Sequence, residues 1–267
     1  MLLQDSIKLS GKCLMNGQNS EATIKKNNGH GIRFIRNGEI ISAKATNVLS
    51  SSNFVVLGNH KEQFALVEHL MAALAICNVK DADIELTSKE VPILDGSAKE
   101  WVEALKNSNL VSNEKIISTE FSKPIYYTNN DTSIVLIPAE EFSITYMVNF
   151  EHKDLKNRWV TLNNDTNIDE ICQARTFGYL KDLEKLQKMG IGLGADINNT
   201  VGLDGDGYTC ELRSQFECAK HKILDIIGDL HLTGRNPLGF KANIFVKLAG
   251  HTAHVEFAKN IIKELEL

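Results

Sequence analysis

The chain has 267 residues, 43% of them hydrophobic and 24% charged, with a formal net charge of -5. Such a composition supports a folded core in one large domain or two of ordinary size. The acidic balance and scattered Lys and Arg argue weakly against a nucleic-acid binder, and with no long apolar run neither a membrane span nor a signal peptide is expected, which points to a cytoplasmic protein.

In chain order, residues 6–14, 22–26 and 31–36 read as short strands, with turns at Asn27-Asn28-Gly29 and Asn37-Gly38. A helix is expected over 64–77, because Val67, Leu70, Met71 and Leu74 recur at helical spacing. A strand (82–87) and a loop (90–96) lead to a second helix over 97–106, where Ser97 and Glu100 form a potential capping box. Residues 107–121 are polar and poorly periodic, and the domain boundary is expected there. Strands resume at 133–138 and 142–150. Helices follow near 167–174 and 180–189, then a Gly-rich turn and short strands around Thr200 and Tyr208.

The chain then repeats the order of its first half: helix (216–233), strand (242–248), helix (251–265). Helix-strand-helix closing each half predicts an α+β protein. Its two domains, 1–115 and 116–267, would be similar two-layer sandwiches arising by tandem duplication. The five cysteines form no CxxC pair and read as reduced, mostly buried small side chains.

Three constellations carry chemistry. His221, Asp225 and Asp229 stand at i, i+4 and i+8 of a helix, on one stripe, whereas Ile223, Ile226, Ile227 and Leu230 take another face. Imidazole and carboxylate one turn apart suit a divalent metal; the competing reading is a solvated His–Asp pair. Glu68-His69 stand in the first turns of an apolar helix, where a charged pair needs a partner or a purpose. His69 could be a third ligand and Glu68 a base beside it, or the pair could simply favour the helix dipole. His251 follows Gly250 at a helix start and could donate a proton or stabilise an oxyanion, with Asp229 fixing its tautomer. His231 and His254 receive no role.

Five segments together are similar to motifs of the UDP-3-O-acyl-N-acetylglucosamine deacetylase family. They are Leu66-Val67-Glu68-His69-Leu70-Met71-Ala72-Ala73-Leu74, Val91-Pro92-Ile93-Leu94-Asp95-Gly96-Ser97-Ala98, Ala174-Arg175-Thr176-Phe177-Gly178-Tyr179, His221-Lys222-Ile223-Leu224-Asp225-Ile226-Ile227-Gly228-Asp229-Leu230, and Gly250-His251. The third segment, with the helix and Gly190–Gly194 turn that follow it, resembles the family's acyl-chain-binding insert.

The resemblance implies a zinc ion held by His69, His221 and Asp225, although a His2Asp site also accepts ferrous iron. It implies Glu68 as the general base, with His251, oriented by Asp229, stabilising the oxyanion or protonating the amine. Thr176 would donate to the oxyanion and Lys222 would face the substrate's sugar or diphosphate. Phe177, Leu183 and the turn containing Gly192 would line a passage for the acyl chain. The fold implied is two α+β domains with the active site between the two catalytic helices. The activity implied is removal of the N-acetyl group, the committed step of lipid A biosynthesis. With no obvious exposed apolar helix face a monomer is expected, and an acylated substrate for such a sequence implies at most peripheral membrane contact.

The chain departs from the family where Gly-Leu-His-x-Gly is usual and Cys13-Leu14-Met15-Asn16-Gly17 stands here. It departs again at Ser214-Gln215-Phe216-Glu217-Cys218-Ala219-Lys220 before the catalytic helix. The alternatives are a relative acting on another N-acyl substrate and, less favoured, a metal-free binding protein on the same scaffold.

Overall fold

The computed structural model describes residues 4–112 and 114–266. Two five-stranded sheets organise it. The first has spatial order Ser6–Lys12, Asn19–Lys26, Ala82–Leu86, Ile32–Arg36, Glu39–Ser42, and the second Ile125–Asn129, Thr132–Pro138, Ala242–Lys247, Ser143–Val148, Arg158–Leu162. In each, two antiparallel hairpins are joined by a central late strand. That strand pairs antiparallel with the second strand and parallel with the third. The topologies are therefore the same, strand for strand. The α+β class expected from the sequence is the one observed.

Six helices lie among the described residues: α1 (Glu68–Ile76), α2 (Lys99–Lys106), α3 (Ile168–Cys172), α4 (Leu180–Lys188), α5 (Glu217–His231) and α6 (His251–Glu264). Helices α1 and α5 occupy equivalent places, each after four strands and before the central strand of its sheet. Between the fourth strand and that helix, each half carries an insertion. The first insertion is a small sheet of Val48–Ser50, Val56–Gly58 and Gln63–Ala65. The second holds α3, α4 and the strands Phe177–Tyr179, Val201–Asp204 and Gly207–Tyr208.

Several local expectations need correction. The first helix begins at Glu68 rather than residue 64. Residues 63–65 pair as a strand, and Leu66 takes a left-handed φ of 60°, which breaks any helix running through it. Every residue of α1 from Glu68 to Ala75 is buried, so the helix is enclosed on all sides, its apolar residues in the core and Glu68 and His69 buried with them. The capping box at Ser97 does not form. Asp95 intervenes: it accepts from the Ser97 hydroxyl at 2.8 Å, while Ser97 Oγ accepts from the Lys99 N–H at 3.1 Å, and α2 starts two residues late. Strands Ile125–Asn129 and Arg158–Leu162 escaped the sequence reading because each is a short edge strand with weak alternation. The Asn37-Gly38 turn is present, both residues having positive φ as a tight hairpin requires. All five cysteines are free thiols, four of them buried.

Helices α1 and α5 pack against each other at the centre of the molecule. The contact is close because Gly228 of α5 faces the backbone of α1: a Cβ there would lie 2.0 Å from the Glu68 carbonyl oxygen. Of the fifteen residues of α5, all but Lys220 and Lys222 are buried. The His221–Asp225–Asp229 stripe is therefore interior, which excludes the reading as a solvated pair.

Candidate active site

Helix periodicity places His221, Asp225 and Asp229 on successive turns of α5, facing the start of α1 with Glu68 and His69. His221 Nε2 is 3.3 Å and His69 Nε2 is 3.7 Å from the same oxygen, Asp225 Oδ1. The two imidazoles meet edge to face, with centroids 4.9 Å apart. His221 Nδ1 lies 2.9 Å from the Ala174 carbonyl, to which it donates, so Nε2 is left with its lone pair. Burial pushes His221 down to about 4 against the pull of Asp225, which keeps the ring neutral.

Asp225 is ionised. Burial opposes its charge, but the Lys222 ammonium and the His251 imidazolium override that and hold it well below the usual carboxylate range. Its Oδ1 is buried and has no hydrogen-bond partner among the described residues. The His221 lone pair and a carboxylate oxygen thus face each other at 3.3 Å with no proton between them, and His69 Nε2 closes the triangle at 3.7 Å, an arrangement that is costly in a low dielectric. Tetrahedral donors around an ion at ~2.0–2.1 Å stand about 3.3 Å apart. The donor set and its spacing fit a small divalent cation.

Glu68 lies beside this triangle, buried, its Oε2 accepting the Val55 N–H at 3.1 Å. Burial raises its carboxyl above the ordinary value, partly offset by His251 and His69. His251, the first residue of α6, brings Nε2 to 3.9 Å from Glu68 Oε1 and 3.7 Å from Asp225 Oδ2. Its Nδ1 donates to Asp229 Oδ2 at 2.7 Å. Burial works against its charge, but Asp229, Asp225 and Glu68 win and raise it to about 9. Near neutral pH the ring is an imidazolium.

These groups line one end of a cavity of about 530 Å³. The first insertion contributes Asn53 and Phe54. The second contributes Thr176, Phe177, Gly178, Tyr179, Leu186 and Ile191. Thr176 is fixed by its backbone, donating to the Gly96 carbonyl at 2.8 Å and accepting from the Val201 N–H at 2.9 Å. Phe177 packs on Phe150, ring centroids 5.1 Å apart, and on His221. Lys222 reaches the cavity, its Nζ paired with Asp225 Oδ2.

The apolar wall differs from expectation at two positions. Leu186 and Ile191 line the cavity, whereas Leu183 and Gly192 do not. Leu183 stands instead against the turn, its Cδ1 3.4 Å from where a Gly192 Cβ would be.

Loop residues that periodicity cannot find also reach the cleft. Leu14 and Met15 line it, in the segment that departs from the family pattern. The buried Glu90 accepts from the Met15 N–H at 2.9 Å, and the carbonyls of Leu14 and Met15 accept from Gly194 and Leu193. His254, given no role from the sequence, shares Asp229 with His251.

Asp229, His251 and His254 form a second cluster of metal-ligating types. Both imidazole Nδ1 atoms aim at one carboxylate oxygen at 2.7 and 2.8 Å, which are hydrogen-bond distances with the protons in between. That cluster is a clamp and not an ion site.

The equivalent helices of two like halves thus bring together the groups that a metal-dependent hydrolase needs. The comparisons with known proteins are more specific. The model of the family described as LpxC, UDP-3-O-acyl N-acetylglycosamine deacetylase, matches residues 2–263, and the chain belongs to that family. A relative in Leptospira biflexa is 35% identical over 240 residues, 88% of this chain and 77% of its own. One in Trichormus variabilis is 34% identical over 97% of both chains, and one in Geotalea uraniireducens is 31% identical over 97% of this chain and 87% of its own. All three are named UDP-3-O-acyl-N-acetylglucosamine deacetylase.

Proposed function

We propose that this chain hydrolyses the acetamide of UDP-3-O-acyl-N-acetylglucosamine to the free amine and acetate. This is the committed step of lipid A, and hence lipopolysaccharide, biosynthesis in Gram-negative bacteria. The observation that carries the reading is the buried triangle of His69, His221 and Asp225 beside Glu68, lining a largely apolar cleft in a chain of the deacetylase family.

His69, His221 and Asp225 would hold zinc, the ion that a His2Asp donor set of this spacing suits, with ferrous iron the alternative. A divalent ion there supplies Lewis acidity to the amide carbonyl and makes water acidic enough to attack near neutral pH. Glu68 Oε1, left free by the bond of Oε2 to Val55, accepts the proton of the attacking water. As the carbon–oxygen bond forms, the His251 imidazolium faces the developing oxyanion. It then delivers a proton to the sugar nitrogen as the carbon–nitrogen bond breaks. Asp229 keeps that ring in the tautomer and orientation the transfer needs. Thr176 assists the oxyanion, and Lys222 turns its charge to the sugar or diphosphate side of the cleft.

The acyl chain lies along Phe177, Leu186 and Ile191. Past Leu186 the insertion exposes Met189, Leu193 and Ile197, which supports peripheral contact with a lipid surface during acyl-chain entry. No helix among the described residues is long and apolar enough to cross a membrane. We take the protein to act in the cytoplasm as a monomer, with residues 1–115 and 116–267 as its two domains. The shared strand order of the sheets supports that division.

Purified protein should release acetate from UDP-3-O-acyl-N-acetylglucosamine, stop when a chelator strips the metal, and lose activity in Glu68→Ala. Bound metal with that substrate untouched would defeat the substrate assignment while sparing the chemistry. Absence of a stoichiometric transition metal would defeat the site.

A further inference from the structure

His251 is not the only imidazole on Asp229. His254, one turn further along α6, is fully buried, and its Nδ1 lies 2.8 Å from the same Oδ2 that receives His251 Nδ1. Its other nitrogen, Nε2, lies 2.9 Å from the hydroxyl of Tyr146, on the strand Ser143–Val148. That hydroxyl also donates to the Ala249 carbonyl at 2.7 Å. The Tyr146 proton can point to either acceptor. In both cases His254 Nδ1, facing a carboxylate, carries a proton and donates it. Asp229 Oδ1 has no partner among the described residues, so both hydrogen bonds that fix the carboxylate fall on one oxygen and come from one face of α6.

A carboxylate that accepted from His251 alone could rotate about its Cβ–Cγ bond and swing the imidazole with it. The second donor removes that freedom. Tyr146 backs the ring from its other side, its hydroxyl 2.9 Å from His254 Nε2 and 2.7 Å from the carbonyl two residues before His251. We propose that His254, with Tyr146 behind it, is a positioning residue for the reaction. It locks the Asp229 carboxylate in the one rotation that aims His251 Nε2 into the cleft, beside Glu68 Oε1 and Asp225 Oδ2. The inference rests on the reading of His251 as the group that stabilises the oxyanion or donates the proton.

Two near-isosteres separate positioning from mere packing. His254→Asn keeps an N–H near the place of Nδ1 and can still donate to Asp229. His254→Gln carries its amide near the place of Nε2 and reaches Tyr146 instead. With the metal-loaded enzyme and UDP-3-O-acyl-N-acetylglucosamine, His254→Gln is expected to lose roughly tenfold or more in kcat with KM little changed. His254→Asn is expected to stay within about threefold of the parent. Proton NMR should show the strongly deshielded His251 Nδ1–H resonance moved or lost in His254→Gln and retained in His254→Asn.

In a His251→Ala background, His254→Gln should cost nothing further, because its effect travels through His251. Equal losses in the Asn and Gln variants, or a full loss from His254→Gln in the His251→Ala background, would overturn the proposal. Full activity in His251→Ala alone would overturn the reading of His251 instead. In that case the resonance still reports whether His254 sets the geometry. Thermal melts of each variant exclude unfolding as the source of a loss, and the Asn–Gln comparison stands between two variants of similar polarity.

Discussion

Gly228 lies directly against the backbone of Glu68: a side-chain carbon at position 228 would stand 2.0 Å from the Glu68 carbonyl oxygen and 2.8 Å from its carbonyl carbon. No flexible side chain could yield there, since both atoms belong to the backbone of α1. The absence of a side chain on α5 therefore sets how closely the two central helices approach. They carry Glu68 and His69 on one side, His221 and Asp225 on the other, so the same contact sets the spacing of the candidate metal donors.

Gly228→Ala should consequently push α1 away from α5. A loss of ~1–3 kcal/mol in urea melts is expected from overpacking of this kind. Metal affinity and kcat should fall together, because the donors of both helices move as blocks. A variant that melts like the parent and holds a full complement of metal would show that the helices do not depend on this contact.

Asp225→Asn tests the donor triangle by isosteric replacement. An amide N–H2 at this place could donate to the free Nε2 of His221, now 3.3 Å from Asp225 Oδ1. The substitution thus occupies that imidazole lone pair and removes the charge that draws in a cation. In the parent, stripping the metal should lower the melting temperature, since an ion bound only to the folded state stabilises it by mass action. In Asp225→Asn the chelator should make no difference, and purified protein should contain little metal. Retention of stoichiometric metal by this variant would remove Asp225 from the ligand set.

What the sequence made legible divides along one physical line. His221, Asp225 and Asp229 could be placed on one stripe because helix geometry alone relates residues four apart. Glu68-His69 stood out because a charged pair in an apolar helix requires an explanation. The walls of the cleft were not legible in this way. Leu14, Met15 and Phe54 reach it from loops, and their positions depend on partners far away in sequence. Met15, for example, is held by Glu90 and by the backbone of Leu193. No periodicity encodes such placements. The start of α1 was misplaced for a related reason: the apolar pattern runs through residues 64–67, but a strand pairing and the left-handed φ of Leu66 stop the helix there. His254 is not legible in the sequence because sharing an acceptor with His251 is a fact of packing between α5 and α6.

The buried ion pair of Arg175 and Glu217 connects the first residue of α5 to the segment that carries Thr176. Arg175 Nε lies 2.8 Å from Glu217 Oε1, and Glu217 also accepts the backbone N–H groups of Arg175 and Arg213. Burial opposes the charge of Glu217, but Arg175 and those N–H donors prevail and hold its carboxyl below the ordinary value. Its contribution to stability is therefore present above the ordinary carboxylate range and lost as pH falls through the lower folded value. Glu217→Gln leaves a buried guanidinium without its counter-charge, and a loss of about 3–5 kcal/mol is expected in denaturant melts at pH 7. Because Ala174 supplies the carbonyl that orients His221, kcat should drop as well. A Glu217→Gln protein with parental stability would mean that solvent reaches Arg175 and compensates it.

His231, at the end of α5, gives a pH signature clear of the metal donors. It is buried, its Nδ1 donating to the Met71 carbonyl at 3.0 Å, and burial lowers it from 6.5 to about 4, with the Met71 bond opposing. The folded state thus disfavours the proton that the unfolded chain accepts, so unfolding takes up a proton between these two values. Stability should be complete above pH 6.5 and decline as pH falls towards 4. The loss from this group is on the order of 3 kcal/mol at the bottom of that window. His231→Asn keeps an N–H for Met71 and removes the titration. Its stability measured by urea melts at pH 7.5 and pH 5 should therefore fall less steeply than the parent's. Parallel declines in the two proteins would show that the proton taken up on unfolding in this range belongs to other groups.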